Sequence, residues 1–205
     1  EISRGDWSSD VCSSDLTAKK FGIWYTRKFH DTSKGMLVAT KSLENDLERW
    51  NFKAPRFSFS RGVNMDIFNP HGPINDIKND LKAPVAVYVG RLAIEKNLDA
   101  FLSMYWEGSK LIVGDGPDRK KLEKKYPQAV FVGAHKREEL AAYYRAGDVF
   151  VFPSKTDTFG MVLIEAMACG LPIAGYNVTG PKDIINKDFL GAIGDDISTA
   201  AHKAL

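Results

Sequence analysis

Two carboxylates, Asp157 and Glu165, flank a Phe159-Gly160 turn within the run Pro153–Gly170. Paired carboxylates can share acid and base duties on a glycosidic bond. Ionised, they can instead accept two hydroxyl hydrogen bonds each, the usual way of gripping a sugar ring. Upstream, Arg91 and Lys96 follow the apolar run Val85–Val89 within a few residues of each other. A guanidinium and an ammonium held in a cleft stabilise a diphosphate electrostatically. Carboxylates that neighbour phosphate-type cations favour ligand binding over attack on a glycoside. Each group also has a plainer reading. Lys96 could form a surface pair with Glu95 or Asp99, and Asp157 could cap a helix or sit in a loop.

These side chains need strands and helices to bring them together. Val85–Val89 reads as a strand by its β-branched and aromatic content, and Val149–Phe152 reads as a buried parallel strand. Strands are also expected at Lys110–Val113, Val130–Val132, Pro172–Ala174 and Gly191–Ile193. Helices are expected near Leu98–Met104, Arg119–Tyr126, Glu138–Ala146, Gly160–Cys169 and from Ile197 onward. Strict alternation of this kind predicts an α/β fold with a doubly wound parallel sheet. In such sheets ligands bind outside the carboxyl ends of the strands, and free helix N–H groups there favour phosphate. Both the Gly90–Asn97 and the Pro153–Gly160 segments leave strand ends, so both could face one diphosphate.

Ahead of this lies a β-α-β unit too small to be a domain alone. A short helix spans Phe21 to Thr32 and carries Trp24, Tyr25 and Phe29. A strand at Gly35–Ala39 is followed by a helix through Trp50, with Thr40 and Ser42 as candidate caps, and then a strand at Arg56–Ser60. Asn69 to Lys82, with Pro70, Gly72, Pro73 and Asn75, reads as a linker.

Other motifs carry less. Gly114-Asp115-Gly116-Pro117 lacks the spacing and the Lys-Ser/Thr of a P-loop, and is expected to be a tight turn walling the pocket. Gly133 to Lys136 follows another strand and could touch a base. His30, His71, His135 and His202 do not fall at metal-ligand spacing. Asp195-Asp196 reads as a loop or helix start, so no metal is expected.

Several of these pieces recur together in order: SRGVNMDIFNP at Ser60–Pro70, GRLAIEKN at Gly90–Asn97, VGDGP at Val113–Pro117, FVG at Phe131–Gly133, the carboxylate block, and LPIA at Leu171–Ala174. In that order they resemble the retaining GT-B glycosyltransferases of the family 4 type (glycosyl transferases group 1), from about Phe21 to the C-terminus. The subgroup most resembled is the bacterial GDP-mannose-dependent α-mannosyltransferases. The resemblance implies a GT-B, Rossmann-like donor domain at 71–205 and, at 17–70, a remnant of the N-terminal acceptor domain. It implies transfer of a hexose with retention from a nucleotide sugar, GDP-mannose, to a lipid or glycan acceptor, with no metal or further cofactor.

Residue by residue, it implies that Arg91 and Lys96 meet the diphosphate and that Glu165 holds the ribose. Asp157, where most members carry Glu, would hold the donor sugar. These three positions, Arg91, Lys96 and Asp157, are the catalytic candidates. Gly90, Gly133 and the backbone of Phe159, Gly160 and Met161 complete the expected donor site. Asp is one methylene shorter than Glu, which puts the sugar or its pose in question. The rivals are a UDP-sugar glucosyl- or sulfoquinovosyltransferase, a GT-B sugar-nucleotide epimerase, and an inactive nucleotide-binding module. The family's N-terminal catalytic His is not found in this sequence.

Composition bounds the remainder. Of 205 residues, 44% are hydrophobic and 11% aromatic, as expected for a globular chain. No run is long and apolar enough to span a membrane. Glu1–Leu16 holds one Arg and four acids, so a chain of net charge +2 becomes +5 without it. That mild basicity suits an anionic sugar nucleotide or an anionic membrane surface, and equally an ordinary solvated surface. The expected location is cytoplasmic, with peripheral contact at the inner membrane face as a further expectation. Nothing resembles a nucleic-acid recognition motif. Asp6–Leu16 reads as a translated sequencing adapter, with Glu1-Ile2 and Ser3–Gly5 fitting its flank and barcode, so residues 1–16 are expected to be non-native. That leaves Cys169 as the one native cysteine, expected to be a small buried packer. The last helix reaches Leu205 without a cap, and truncation at both ends is expected.

Overall fold

The computed structural model describes residues 15–157 and 160–205. Two compact units divide between Arg61 and Gly62.

The first unit contains α1 (Asp15–His30), β1 (Met36–Val38), α2 (Lys41–Arg49) and β2 (Arg56–Ser58). The two strands pair in parallel, Met36 opposite Arg56 and Val38 opposite Ser58. Parallel pairing needs a crossover, and α2 supplies it. Thr40 starts α2 by accepting a hydrogen bond from the Leu43 amide. Leu47, on the inner face of α2, packs with Val38 and Phe52, and Ile23 of α1 joins from outside. The reading of residues 1–16 as adapter falls mainly outside the described residues. Its last two members, Asp15 and Leu16, open α1.

The second unit is a six-stranded parallel sheet made of β3 (Ala86–Val89), β4 (Lys110–Val113), β5 (Val130–Gly133), β6 (Val149–Phe152), β7 (Ile173–Tyr176) and β8 (Gly191–Gly194). Its spatial order is β5-β4-β3-β6-β7-β8. The chain therefore builds outward from β3 to β5, returns, and builds the other way from β6. This is the doubly wound order, and its reversal lies between β3 and β6, which pair Ala86 with Val149 and Val87 with Phe150.

Both faces of the sheet are covered, which is why its strands read as unbroken apolar runs. Ala86 and Tyr88 point to one layer, with Ile112, Val151, Phe101 and Leu102 of α3 (Leu98–Ser103), Leu122 of α4 (Arg119–Lys125) and Ala200 of α8 (Ile197–Ala204). Val85, Val87 and Val89 point to the other, with Phe150, Tyr144 of α5 (Arg137–Arg145) and Leu163 of α6 (Met161–Ala168). The alternation is the strand period of two. A single turn, α7 (Pro181–Ile184), was not legible from periodicity. At the foot of β4, Lys110 is buried and its ammonium donates to the carbonyls of Leu102 (2.7 Å) and Met104 (2.5 Å). It thus caps the end of α3, and burial pushes its pKa down.

The expected linker is a packed segment of the second unit. Asp76–Asp80 is a 3-10 helix started by Asn75, which accepts from the Ile77 amide. Ile77 and Leu81 pack on the core, and Phe68 is fully buried in it. Arg145 pins the preceding stretch by donating to the carbonyls of Pro73 (2.7 Å) and Asn69 (2.9 Å). Lys78 pairs with Asp148 at 3.2 Å. The division at Arg61/Gly62 therefore precedes the expected one at 70/71, because Phe68 belongs to the sheet's core.

Candidate functional site

The loops that follow β3 and β6 flank the reversal point, and side chains join them. The Lys96 ammonium contacts both oxygens of the Asp157 carboxylate, at 2.6 and 2.7 Å. Asn97 donates to the Pro153 carbonyl at 3.2 Å, and the Thr156 hydroxyl reaches the Glu95 carbonyl at 3.5 Å. The plainer alternative, a surface pair of Lys96 with Glu95 or Asp99, is not what forms. Asp99 is taken by Lys125 and the Tyr126 hydroxyl.

Local geometry explains how Lys96 arrives there. Residues Ile94–Lys96 form a single 3-10 turn ended by Asn97 in the left-handed region, φ 53°. Asn tolerates that conformation better than most residues. The same residue caps α3, so one asparagine ends the loop, opens the helix and ties down the neighbouring strand's exit. Arg91 projects from the same loop. It is exposed, and no described carboxylate pairs with it. Its carbonyl accepts a hydrogen bond from the buried Tyr88 hydroxyl at 2.9 Å. Burial, with the nearby charges of Asp157 and Glu95, pushes the Tyr88 pKa up.

The glycine motif after β4 braces this loop. A Cβ on Gly114, whose φ is +144°, would stand 1.9 Å from the Gly90 carbonyl oxygen. A Cβ on Gly116 would stand 2.2 Å from that of Leu92. The Leu92 amide donates to Asp115 and the Asp118 amide to Leu92. The sequence reading made this turn a wall of the pocket; its observed contacts make it the support of the Gly90–Leu92 backbone. An open hollow of about 450 Å³ lies beside it, lined by Asp115, Gly116, Pro117, Arg119, Lys120 and Glu123, none of them an expected site residue.

On the other side, Gly160 (φ 65°) turns the chain into α6, and Met161 is its first residue. Thr158 and Phe159 lie outside the described residues, so the expectation for Phe159 stands as the sequence left it. Glu165 sits one turn into α6 and is buried, with only 6% exposed. The Tyr144 hydroxyl donates to it at 3.2 Å and the Arg137 guanidinium at 3.4 Å, both from α5. Burial pushes the Glu165 pKa up, against the opposing pull of Tyr144 and Arg137. Gly133 ends β5, accepts from the Gly114 amide at 2.7 Å, and leads to His135, whose ring bridges Glu139 and the Val132 carbonyl.

The structure thus brings Lys96 and Asp157 together directly, places Gly90 and Arg91 on the same loop, and sets Glu165 in the helix behind Asp157. Sequence reasoning missed Asn97, Tyr88, Tyr144 and Arg137 as supports. Asn97 stood within the GRLAIEKN stretch, and an Asn just before a helix was its one available signal. Asp196 accepts from the Thr199 amide and caps α8, as a helix start should. Cys169 is buried, and burial pushes its thiol up to about 11, as befits a packing residue. Among the described residues no three His, Cys, Asp or Glu side chains gather as a metal site, and no helix is long and apolar enough to cross a membrane.

Comparison with known proteins agrees with this fold. The chain is 34% identical over 171 residues to a sulfoquinovosyl transferase of Arabidopsis thaliana, covering 78% of this chain and 32% of that protein. It is 31% identical over 183 residues to a GDP-mannose-dependent alpha-mannosyltransferase of Mycobacterium tuberculosis, covering 87% and 48%. It spans a third to a half of the length of such relatives. Among solved structures, a sucrose-phosphate synthase from Thermosynechococcus elongatus superposes with a TM-score of 0.76 at 26% identity, over 95% of this chain and 53% of that one. Anabaena HepE in complex with UDP shares the fold, with a TM-score of 0.75 at 15% identity, over 97% of this chain and 58% of that one. Glycosyl transferases group 1 matches residues 74–204, nearly the whole of the sheet and its helices, and the chain belongs to that family.

Proposed function

We propose that residues 62–205 bind the donor of a retaining hexosyltransferase, a nucleotide sugar, and that residues 17–61 are the end of an acceptor-binding domain. The observation that carries this reading is the direct contact of Lys96 with Asp157 across the sheet's reversal point, with Arg91 on the same loop as Lys96. Arg91 and Lys96 would neutralise the departing diphosphate, the group on which charge accumulates as the glycosidic bond breaks. Asp157 would accept hydrogen bonds from sugar hydroxyls and Glu165 from ribose hydroxyls. The backbone amides at the start of α6 would meet phosphate or sugar oxygens.

The donor would be GDP-mannose and the acceptor a lipid or glycan, with the protein at the cytoplasmic face of a membrane. The mannosyltransferase relatives support that donor. A UDP-sugar is the second reading, favoured by the sulfoquinovosyl relative and by neighbours bearing UDP. Calorimetric titration of GDP, UDP and their sugars into the chain decides between them. Arg91→Ala should weaken nucleoside diphosphate binding by roughly 1.5–3 kcal/mol, the scale of a hydrogen bond to a charged group. Tighter binding of UDP than of GDP would remove mannose while leaving the donor site in place. Unchanged diphosphate affinity in Arg91→Ala would remove the site itself.

A further inference from the structure

The ion pair between Lys96 and Asp157 sets two expected roles against each other. Lys96 cannot give its full charge to a diphosphate while both Asp157 oxygens lie within 2.7 Å of it. The two side chains are only 21% and 27% exposed, so water screens the pair incompletely. A diphosphate arriving beside Lys96 also meets the Asp157 charge. Asn97 and Thr156 hold the two loops together at this point, so the pair cannot relax by the loops drifting apart without losing those bonds.

Resting on the donor-site reading above, we infer that Asp157 selects intact sugar nucleotide over free nucleoside diphosphate by holding Lys96 in an ion pair that only a sugar's hydroxyls compensate. The electrostatics of the two ligands differ in the right direction. A free nucleoside diphosphate carries an ionisable terminal phosphate, and brings more negative charge toward Asp157 than the esterified diphosphate of a sugar nucleotide. It offers the carboxylate no donor in return. A sugar nucleotide brings hydroxyls that donate to Asp157 and replace what the carboxylate loses when Lys96 turns to phosphate. The same carboxylate that grips the substrate thereby repels the product once the sugar has gone. Arg91, with no described carboxylate partner, has no such brake on its contact with phosphate. Shortening the side chain from Glu to Asp matters less here than keeping the charge.

The test uses inorganic pyrophosphate, GDP, UDP, GDP-mannose and UDP-glucose as probes, titrated calorimetrically into the wild-type chain, Asp157→Asn, Asp157→Glu and Asp157→Asn combined with Lys96→Met. Removing the charge while keeping the shape should tighten pyrophosphate and the preferred nucleoside diphosphate by at least about fivefold to tenfold, the range for one unit charge a few ångströms away even at the dielectric of water. It should weaken the matching sugar nucleotide. Asp157→Glu should behave as the wild type, and the gain should vanish when Lys96 is also replaced. Equal or weaker diphosphate binding by Asp157→Asn, with nucleotides still bound by the wild type, overturns the inference and spares the donor site. Tighter pyrophosphate with no nucleotide bound by any variant overturns the donor-site reading and keeps the opposition between Asp157 and Lys96. Failure to bind any of the probes overturns both.

Discussion

Asp157 and Glu165 stand on the same connection, yet the structure treats them oppositely. Asp157 lies in a loop, partly open to water, and its cation comes from another strand's exit. Glu165 lies in a helix, buried, with Tyr144 and a largely exposed Arg137 reaching it from α5. The first is a charge held in check by a neighbouring charge. The second is a charge placed where burial disfavours it, since desolvation dominates its raised pKa. Two carboxylates at this spacing are thus not a matched acid/base couple. One is poised to exchange partners, and the other is held rigidly at some expense to the fold.

That contrast can be broken at several points. The largest effect is expected from Glu165→Ala, which should weaken nucleoside and nucleoside diphosphate binding alike by roughly 1.5–3 kcal/mol, because ribose is common to both. Titration of guanosine beside GDP would expose a different role if only one of them suffered. Tyr144→Phe should lower stability by about 1 kcal/mol, since it leaves one buried carboxylate oxygen without its donor; urea denaturation measures it. Glu165→Gln should raise the thermal midpoint at pH 7 and give little or no gain at pH 4. The sign follows from the raised pKa. Below about pH 4.5 the carboxyl is neutral folded or unfolded, and as pH rises through the folded pKa the buried charge subtracts stability that Gln retains. A gain that grew toward acid would contradict the burial argument. The smallest effect is expected from Asp157→Asn, within about 0.5–1 kcal/mol of the wild type in urea, as for a pair that water partly screens.

How much could be read beforehand depended on whether the signal was local. The strands Lys110–Val113 and Val149–Phe152 were legible to the residue, because apolar runs bounded by polar and glycine residues leave few alternatives. Thr40 was legible as a cap for the same reason. The 76–80 turn was hidden by Pro70, Gly72 and Pro73, which suggest an open linker, although Ile77 and Leu81 are spaced to reach the core together. Lys96 with Asp157, and Glu165 with Tyr144, were out of reach. The loops carrying Lys96 and Asp157 were expected to face one diphosphate, but which of their side chains pair depends on sheet order and loop path, and no period in a sequence states that.

The contact between Gly114 and the backbone of Gly90 has a practical consequence. Main chain rests on main chain, so the course of the Gly90–Leu92 segment does not depend on which side chains it carries. Residues 91, 94 and 95 are exposed and can be varied like interchangeable fittings on a fixed mount. A library that randomises those three positions while leaving residues 114–116 untouched should yield mostly folded proteins differing in ligand preference. The same diversity placed at Gly114 or Gly116 should yield mostly misfolded ones.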